Sequence, residues 1–130
     1  MTFAFEFPTV ETWPAIHALL APAIEHGGDT TAEEVIDELF GNRAQLWVKR
    51  EDGAPVAVAV TTIHDDGTLN CQLLGGVDMG AWVDGLIATV AEKAKPLGIH
   101  HFEMTGRVGW ERVLKAKGWR KKKVVMELAL

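Results

Sequence analysis

The residues with the clearest chemical use sit in one stretch, Leu69 to Gly98. There a short apolar strand ends in Leu73, Leu74, Gly75 and Gly76, and a long helix opens with Asp78, Gly80 and Ala81. A glycine-bearing turn of this kind leaves backbone N–H groups free at the helix start, where the helix dipole favours negative charge. The chemistry it suits is the holding of an anionic group of a ligand. Asp78 reads two ways: it is a good N-cap, and its carboxylate would repel the same anion. A second turn, Gly106-Arg107-Val108-Gly109-Trp110, combines two glycines with an arginine. It suits an anion or partner contact through Arg107, or a tight turn with Trp110 packed as a plug.

Elsewhere reactive groups are sparse. His17, His26, His64, His100 and His101 show no ligand spacing on one element, so no metal site is expected. No nucleophile elbow or phosphate-binding P-loop is present. Cys71 is the single cysteine, which excludes an intrachain disulfide and fits a reducing compartment. Trp13, near the start of the first helix, could line a substrate rim or an oligomer contact.

A chain of 130 residues supports one domain, residues 1–130, with a real core. No apolar run reaches the roughly 18 residues needed to span a membrane, and no signal-peptide pattern opens the chain. A cytoplasmic location is expected. The net charge of −5 hides an asymmetry. Residues 1–66 carry 12 acidic side chains against Arg43, Lys49 and Arg50, whereas residues 107–123 carry eight basic ones against Glu111. The basic end could meet an acidic partner, with nucleic acid the weaker candidate. The plainer expectation is that it pairs with the chain's own acidic half or lies solvated.

Periodicity supplies the elements. Phe3, Phe5 and Phe7 alternate as a half-buried strand that Pro8 ends. Thr12 caps a helix with Ile16, Leu19, Leu20 and Ile24 on one face, and Pro22 should kink or split it. Thr31 and Glu34 form a capping box for a second helix, striped by Val35, Leu39 and Phe40 and closed by Gly41. Three strands follow (44–50, 55–64 and 68–74), joined at Asp52-Gly53 and Asp65-Asp66-Gly67 into an antiparallel meander. The long helix runs from Met79 to Lys95, burying Trp82, Val83, Leu86, Ile87, Val90 and Ala94. A strand from Ile99 to Thr105 then lies parallel to the one before the helix. A short helix from Trp110 to Lys117 stops at Gly118, and a last strand runs from Trp119 to Leu130.

The resulting order, β-α-α-β-β-β-α-β-α-β with a mixed sheet, is an α/β (α+β) single domain that resembles the GCN5-related N-acetyltransferase superfamily. LWVKREDGAPVAVAV is similar to that family's second and third strands with their acidic-Gly turn. QLLGGVDMGAWVDGLIATVAEKAKPLG stands in the place of its acetyl-CoA motif, and ERVLKAKGW resembles its penultimate helix with the Gly-aromatic pair that follows. GRVGW is similar to runs in small phage-encoded proteins that resemble acetyltransferases.

The resemblance implies acetyl-CoA in a wedge between the strand before the long helix and the strand after it. Its pantetheine would pair with the splayed strand Leu69–Gly75 and its pyrophosphate would sit on the helix N-terminus, with Leu73, Leu74, Gly75, Gly76, Asp78, Gly80, Ala81 and Arg107 as the cofactor-binding residues. It also implies direct attack by an amine, with Glu103 as a general base and Cys71 as an acyl acceptor among the candidates. A solvated strand carboxylate and a buried structural cysteine are the plainer alternatives. Two departures stand out. The pyrophosphate loop never shows the family's full glycine pattern. The chain has no tyrosine, Leu114 preceding Lys115 where the resemblance would put one to protonate the leaving thiolate.

Two functions follow. One is an acyl-CoA-dependent N-acyltransferase acting on an amine. The other is a catalytically inactive fold serving as a binding or structural protein, virion-associated or regulatory, with a protein partner or a homo-oligomer through Val124–Leu130.

Overall fold

The computed structural model describes residues 3–27, 30–76, 79–104, 112, 114–122, 126, 128 and 129. Five strands form one sheet in the order β1-β2-β3-β4-β5. They are β1 (Phe3–Glu6), β2 (Gln45–Glu51), β3 (Ala54–Ile63), β4 (Leu69–Gly76) and β5 (Phe102–Met104). The first four are antiparallel neighbours, and β5 lies parallel to β4. The helices are α1 (Trp13–Gly27), α2 (Ala32–Phe40) and α3 (Met79–Ala94).

The turn chemistry read from the sequence is present. Asp52 and Gly53 both take positive φ, 51° and 82°, which a two-residue hairpin between β2 and β3 requires. Thr31 Oγ1 accepts the Glu34 N–H at 3.2 Å, capping α2. The Leu114 carbonyl accepts the Trp119 N–H and the Lys115 carbonyl the Gly118 N–H, with Gly118 at φ 91°. That is a Schellman stop for the helical turn before it.

Alternation along the strands gives the sheet two cores. On one face α3 lays Trp82, Leu86 and Val90 over Phe3, Trp47, Ala57, Ala59, Leu69 and Cys71. On the other, Ile16 and Leu20 of α1 and Val35 and Leu39 of α2 cover Leu46, Val48, Val58, Val60 and Leu73. Burying large side chains of this kind contributes about 1.5–3 kcal/mol each before chain entropy is counted.

Several expectations need correction. Pro22 does not split α1, which continues through it. Pro22 and Ala18 are both exposed, so water can take the carbonyl that the proline ring leaves without a donor. Phe40 is exposed rather than part of the α2 stripe, and Ile87 is only half-buried. Gly41 closes α2 with an ordinary φ of −86°, and Asn42 takes the left-handed position at 59°. The helix before β5 ends at Ala94 in a 3-10 turn over Lys95–Leu97. Of the expected last strand, Trp119–Lys122, Met126, Leu128 and Ala129 are described and are not in a strand. Its first part does lie beside β5, since Trp119 packs on Phe102 with ring centroids 5.3 Å apart. Among the described residues no helix is long and apolar enough to cross a membrane.

Candidate cofactor wedge

The geometry of the site comes from one extra residue in β4. Val60 pairs with Leu73 but Thr61 pairs with Cys71, so Gln72 is a bulge with no partner on β3. The bulge resets the alternation. Cys71 and Leu73 are two apart, yet Cys71 belongs to the α3-side core and Leu73 to the opposite one. A bulge also bends its strand and sharpens the local twist. On the other edge of β4, pairing with β5 runs through Leu69↔Phe102, Asn70↔Glu103 and Cys71↔Met104 and stops there. Among the described residues, that edge of Gln72–Gly76 carries no ladder partner. β4 itself runs on from there to Gly76, and α3 opens at Met79.

The two glycines that end β4 are held by close backbone contacts. A Cβ on Gly75 would lie 2.0 Å from the Leu19 carbonyl oxygen of α1, so α1 rests directly on the strand. Gly76 has φ 149°, and a Cβ there would meet the Val56 carbonyl at 2.7 Å and the Ala57 Cα at 2.8 Å. Both positions need glycine for packing, whatever a ligand asks of them. Leu73 turns its side chain into the α1 core, leaving only its backbone for the wedge, while Leu74 is half-buried against the α3-side cluster. Gly80 and Ala81 fall in the first turn of α3, as the sequence reading required. Asp78 and Arg107 lie outside the described residues.

The two candidate catalytic groups are not brought together. Cys71 is fully buried, and its Sγ lies 3.5 Å from the Leu73 carbonyl across the bulge. Burial pushes its thiol up to about 12, so it carries no nucleophilic thiolate near neutrality. Glu103 points to the opposite face, because its neighbours Phe102 and Met104 pack into the α3-side core. Its carboxylate is ion-paired with Lys122. That hydrogen bond is the main reason the Lys122 ammonium is raised above its usual range. Lys117 likewise pairs with Asp84 of α3 at 2.9 Å. Two members of the basic end thus pair inside the chain, with Asp84 and Glu103, and Lys122 also feels the charge of Asp66 in the acidic first half. Among the described residues there is no group of three or more potential metal ligands.

Sequence reasoning missed the bulge at Gln72, the approach of the Leu19 carbonyl and the pairing of Lys122. The Gly75-Gly76 pair was a signal of close backbone approach, but not of what approaches. Nothing local marked the other two, since Lys122 meets Glu103 across 19 residues.

No protein-family model matches the sequence, and no curated protein does. Solved structures do. A predicted acetyltransferase from Clostridium acetobutylicum, determined with acetyl-CoA, superposes with a TM-score of 0.68 at 12% identity, covering 98% of this chain and 96% of the other. An acetyltransferase of Trypanosoma brucei gives 0.69 at 13% identity over 98% and 99% of the two chains. The aminoglycoside acetyltransferase AAC(6')-Iy, bound to a bisubstrate analogue of CoA and acetylneamine, gives 0.71 at 10% identity over 100% and 99%. The chain is similar to these over its whole length, and its fold is that of the GCN5-related N-acetyltransferases.

Proposed function

We propose that the protein is an acyl-CoA-dependent N-acyltransferase, binding acyl-coenzyme A along the free edge of β4 and delivering its acyl group to an amine. The observation that carries this reading is the Gln72 bulge, beyond which β4 runs on with one edge unpaired among the described residues. An amide-bearing chain such as pantetheine can add to that edge as another strand would. Gln72 and Gly76 are exposed and Leu74 and Gly75 half-buried, which leaves room for such an addition. The shared fold supports it too, because acetyltransferases with this fold have been solved holding acetyl-CoA or a CoA conjugate.

Acyl-coenzyme A supplies an activated thioester carbonyl. An incoming amine nitrogen bonds that carbon, the carbon–sulfur bond breaks with its electron pair leaving on the CoA thiolate, and the amine's proton passes to a base and on through water to that sulfur. No protein nucleophile is needed, which agrees with a Cys71 thiol that stays neutral. Glu103 can act as the base only when Lys122 releases it, so proton removal falls to water or to that opened pair. The same ion pair favours a second reading, in which the fold binds a ligand or partner without chemistry.

Thermal unfolding with and without acetyl-CoA tests the binding. Ligand at a hundred times its dissociation constant should stabilise by about 2.7 kcal/mol, several degrees for a domain this size. Gly80→Glu adds a carboxylate to the first turn of α3, where it suits the helix and opposes an anion. It should keep the fold and lose the shift. No shift at millimolar acetyl-CoA would overturn the proposal. Binding without transfer to any of a panel of amines would select the second reading.

A further inference from the structure

We propose that a cleft beneath the C-terminal end of α3 is a second binding site, for a small carboxylic acid with an apolar body. The cleft has a volume of about 260 Å³. It lies at the start of β4, whereas the wedge begins three residues on at Gln72, roughly 10 Å away at the rise of a strand. The proposal therefore stands apart from acyl-CoA binding.

Its floor is core: Trp47, Leu69, Val90 and Ala94 are all buried. Its walls are not, since Phe5, Ile63 and Leu97 remain 40%, 46% and 72% exposed around the same concavity. Apolar groups left in water around one hollow mark a binding surface better than the same groups scattered. The Phe5 ring is pinned edge-on between Trp47 and Phe7, at 5.7 and 5.1 Å.

The polar lining decides the ligand. Trp47 Nε1 donates to Thr61 Oγ1, and Thr61 Oγ1 donates to Gln45 Oε1, each at 2.9 Å. The indole N–H and the Gln45 carbonyl are thus already engaged. Gln45 and Lys93 are the polar residues that line the cleft, and neither the Gln45 amide N–H₂ nor the Lys93 ammonium donates to another side chain among the described residues. A hollow that offers donors and one positive charge above an apolar floor complements a carboxylate with a hydrocarbon body. An ammonium head in the same place would meet Lys93 and be repelled.

Sodium decanoate, kept below its micellar range, is the probe. Titrated into ¹⁵N-labelled protein, it should saturably shift the Trp47 indole and Gln45 side-chain N–H resonances and leave the amides of Gln72–Gly76 in place. Saturating acetyl-CoA should not displace it. Lys93→Glu should weaken decanoate at least tenfold and admit decylammonium. Ile63→Glu should weaken decanoate as strongly by placing a carboxylate in the wall. Both positions are exposed, and an unchanged circular dichroism spectrum and Tm would confirm that the variants fold. The proposal is overturned by absent or unsaturable binding, by parental affinity for decanoate in either variant, or by sedimentation showing that a second copy covers the cleft.

Discussion

The two halves of β4 belong to different parts of the molecule. Leu69–Cys71 is paired on both edges and buried, packed beneath α3 or closed in against the other core. Leu73–Gly76 is paired only with β3 among the described residues, the bulged Gln72 has no ladder partner there, and Gln72 and Gly76 reach solvent. A single added residue separates core from site. The bulge exchanges the faces of everything after it. In the proposed function, register rather than a cluster of reactive side chains places the site.

The harshest way to break the contrast is to delete Gln72. Leu73 would then follow Cys71 directly and by alternation stay on the α1 side, with Leu74 on the α3 side, so urea unfolding should stay cooperative while acetyl-CoA binding is lost with the bend. Within the first half, Leu69→Ala removes a buried side chain and should cost about 2–5 kcal/mol in urea titrations, with an unchanged m-value. Gly75→Ala tests whether the second half is as tolerant as its exposure suggests. Its Cβ would press on backbone that cannot give, so destabilisation at the upper end of about 1–3 kcal/mol is expected. Leu74→Ala, half-buried, should cost under about 1 kcal/mol while weakening acetyl-CoA.

The smallest effect at neutral pH belongs to Cys71. Its folded thiol titrates at about 12, well above the unfolded value. The neutral thiol's share of stability is therefore complete below about pH 9 and is lost as pH climbs toward 12. Urea unfolding at pH 7.5 and pH 10 should show a smaller loss in Cys71→Ala than in the parent. Iodoacetamide should label Cys71 only after unfolding.

Periodicity and turn chemistry made most elements legible. The Thr31–Glu34 box, the Asp52-Gly53 hairpin, the α3 stripe and the Gly118 stop are local signals, and each is present. What escaped was non-local. Leu69, Cys71 and Leu73 read as one regular face, and nothing in the sequence says that Gln72 interrupts it. Phe5, Phe7 and Phe40 have the apolarity of core residues, but their neighbours leave them exposed. The Glu103–Lys122 pair and the Gln45–Thr61–Trp47 chain of hydrogen bonds depend on strand order, which side-chain type alone does not fix. The order of β4 and α3 was readable from the sequence, and the bulge in β4 was not.

The most direct test of the account is an acetyl-CoA titration followed by backbone amide resonances along β4. The account predicts saturable shifts at Gln72, Leu73, Leu74, Gly75 and Gly76, with Leu69, Asn70 and Cys71 nearly unmoved. Shifts concentrated in Leu69–Cys71, or none anywhere at millimolar ligand, would contradict the claim that the bulge opens β4 to a cofactor.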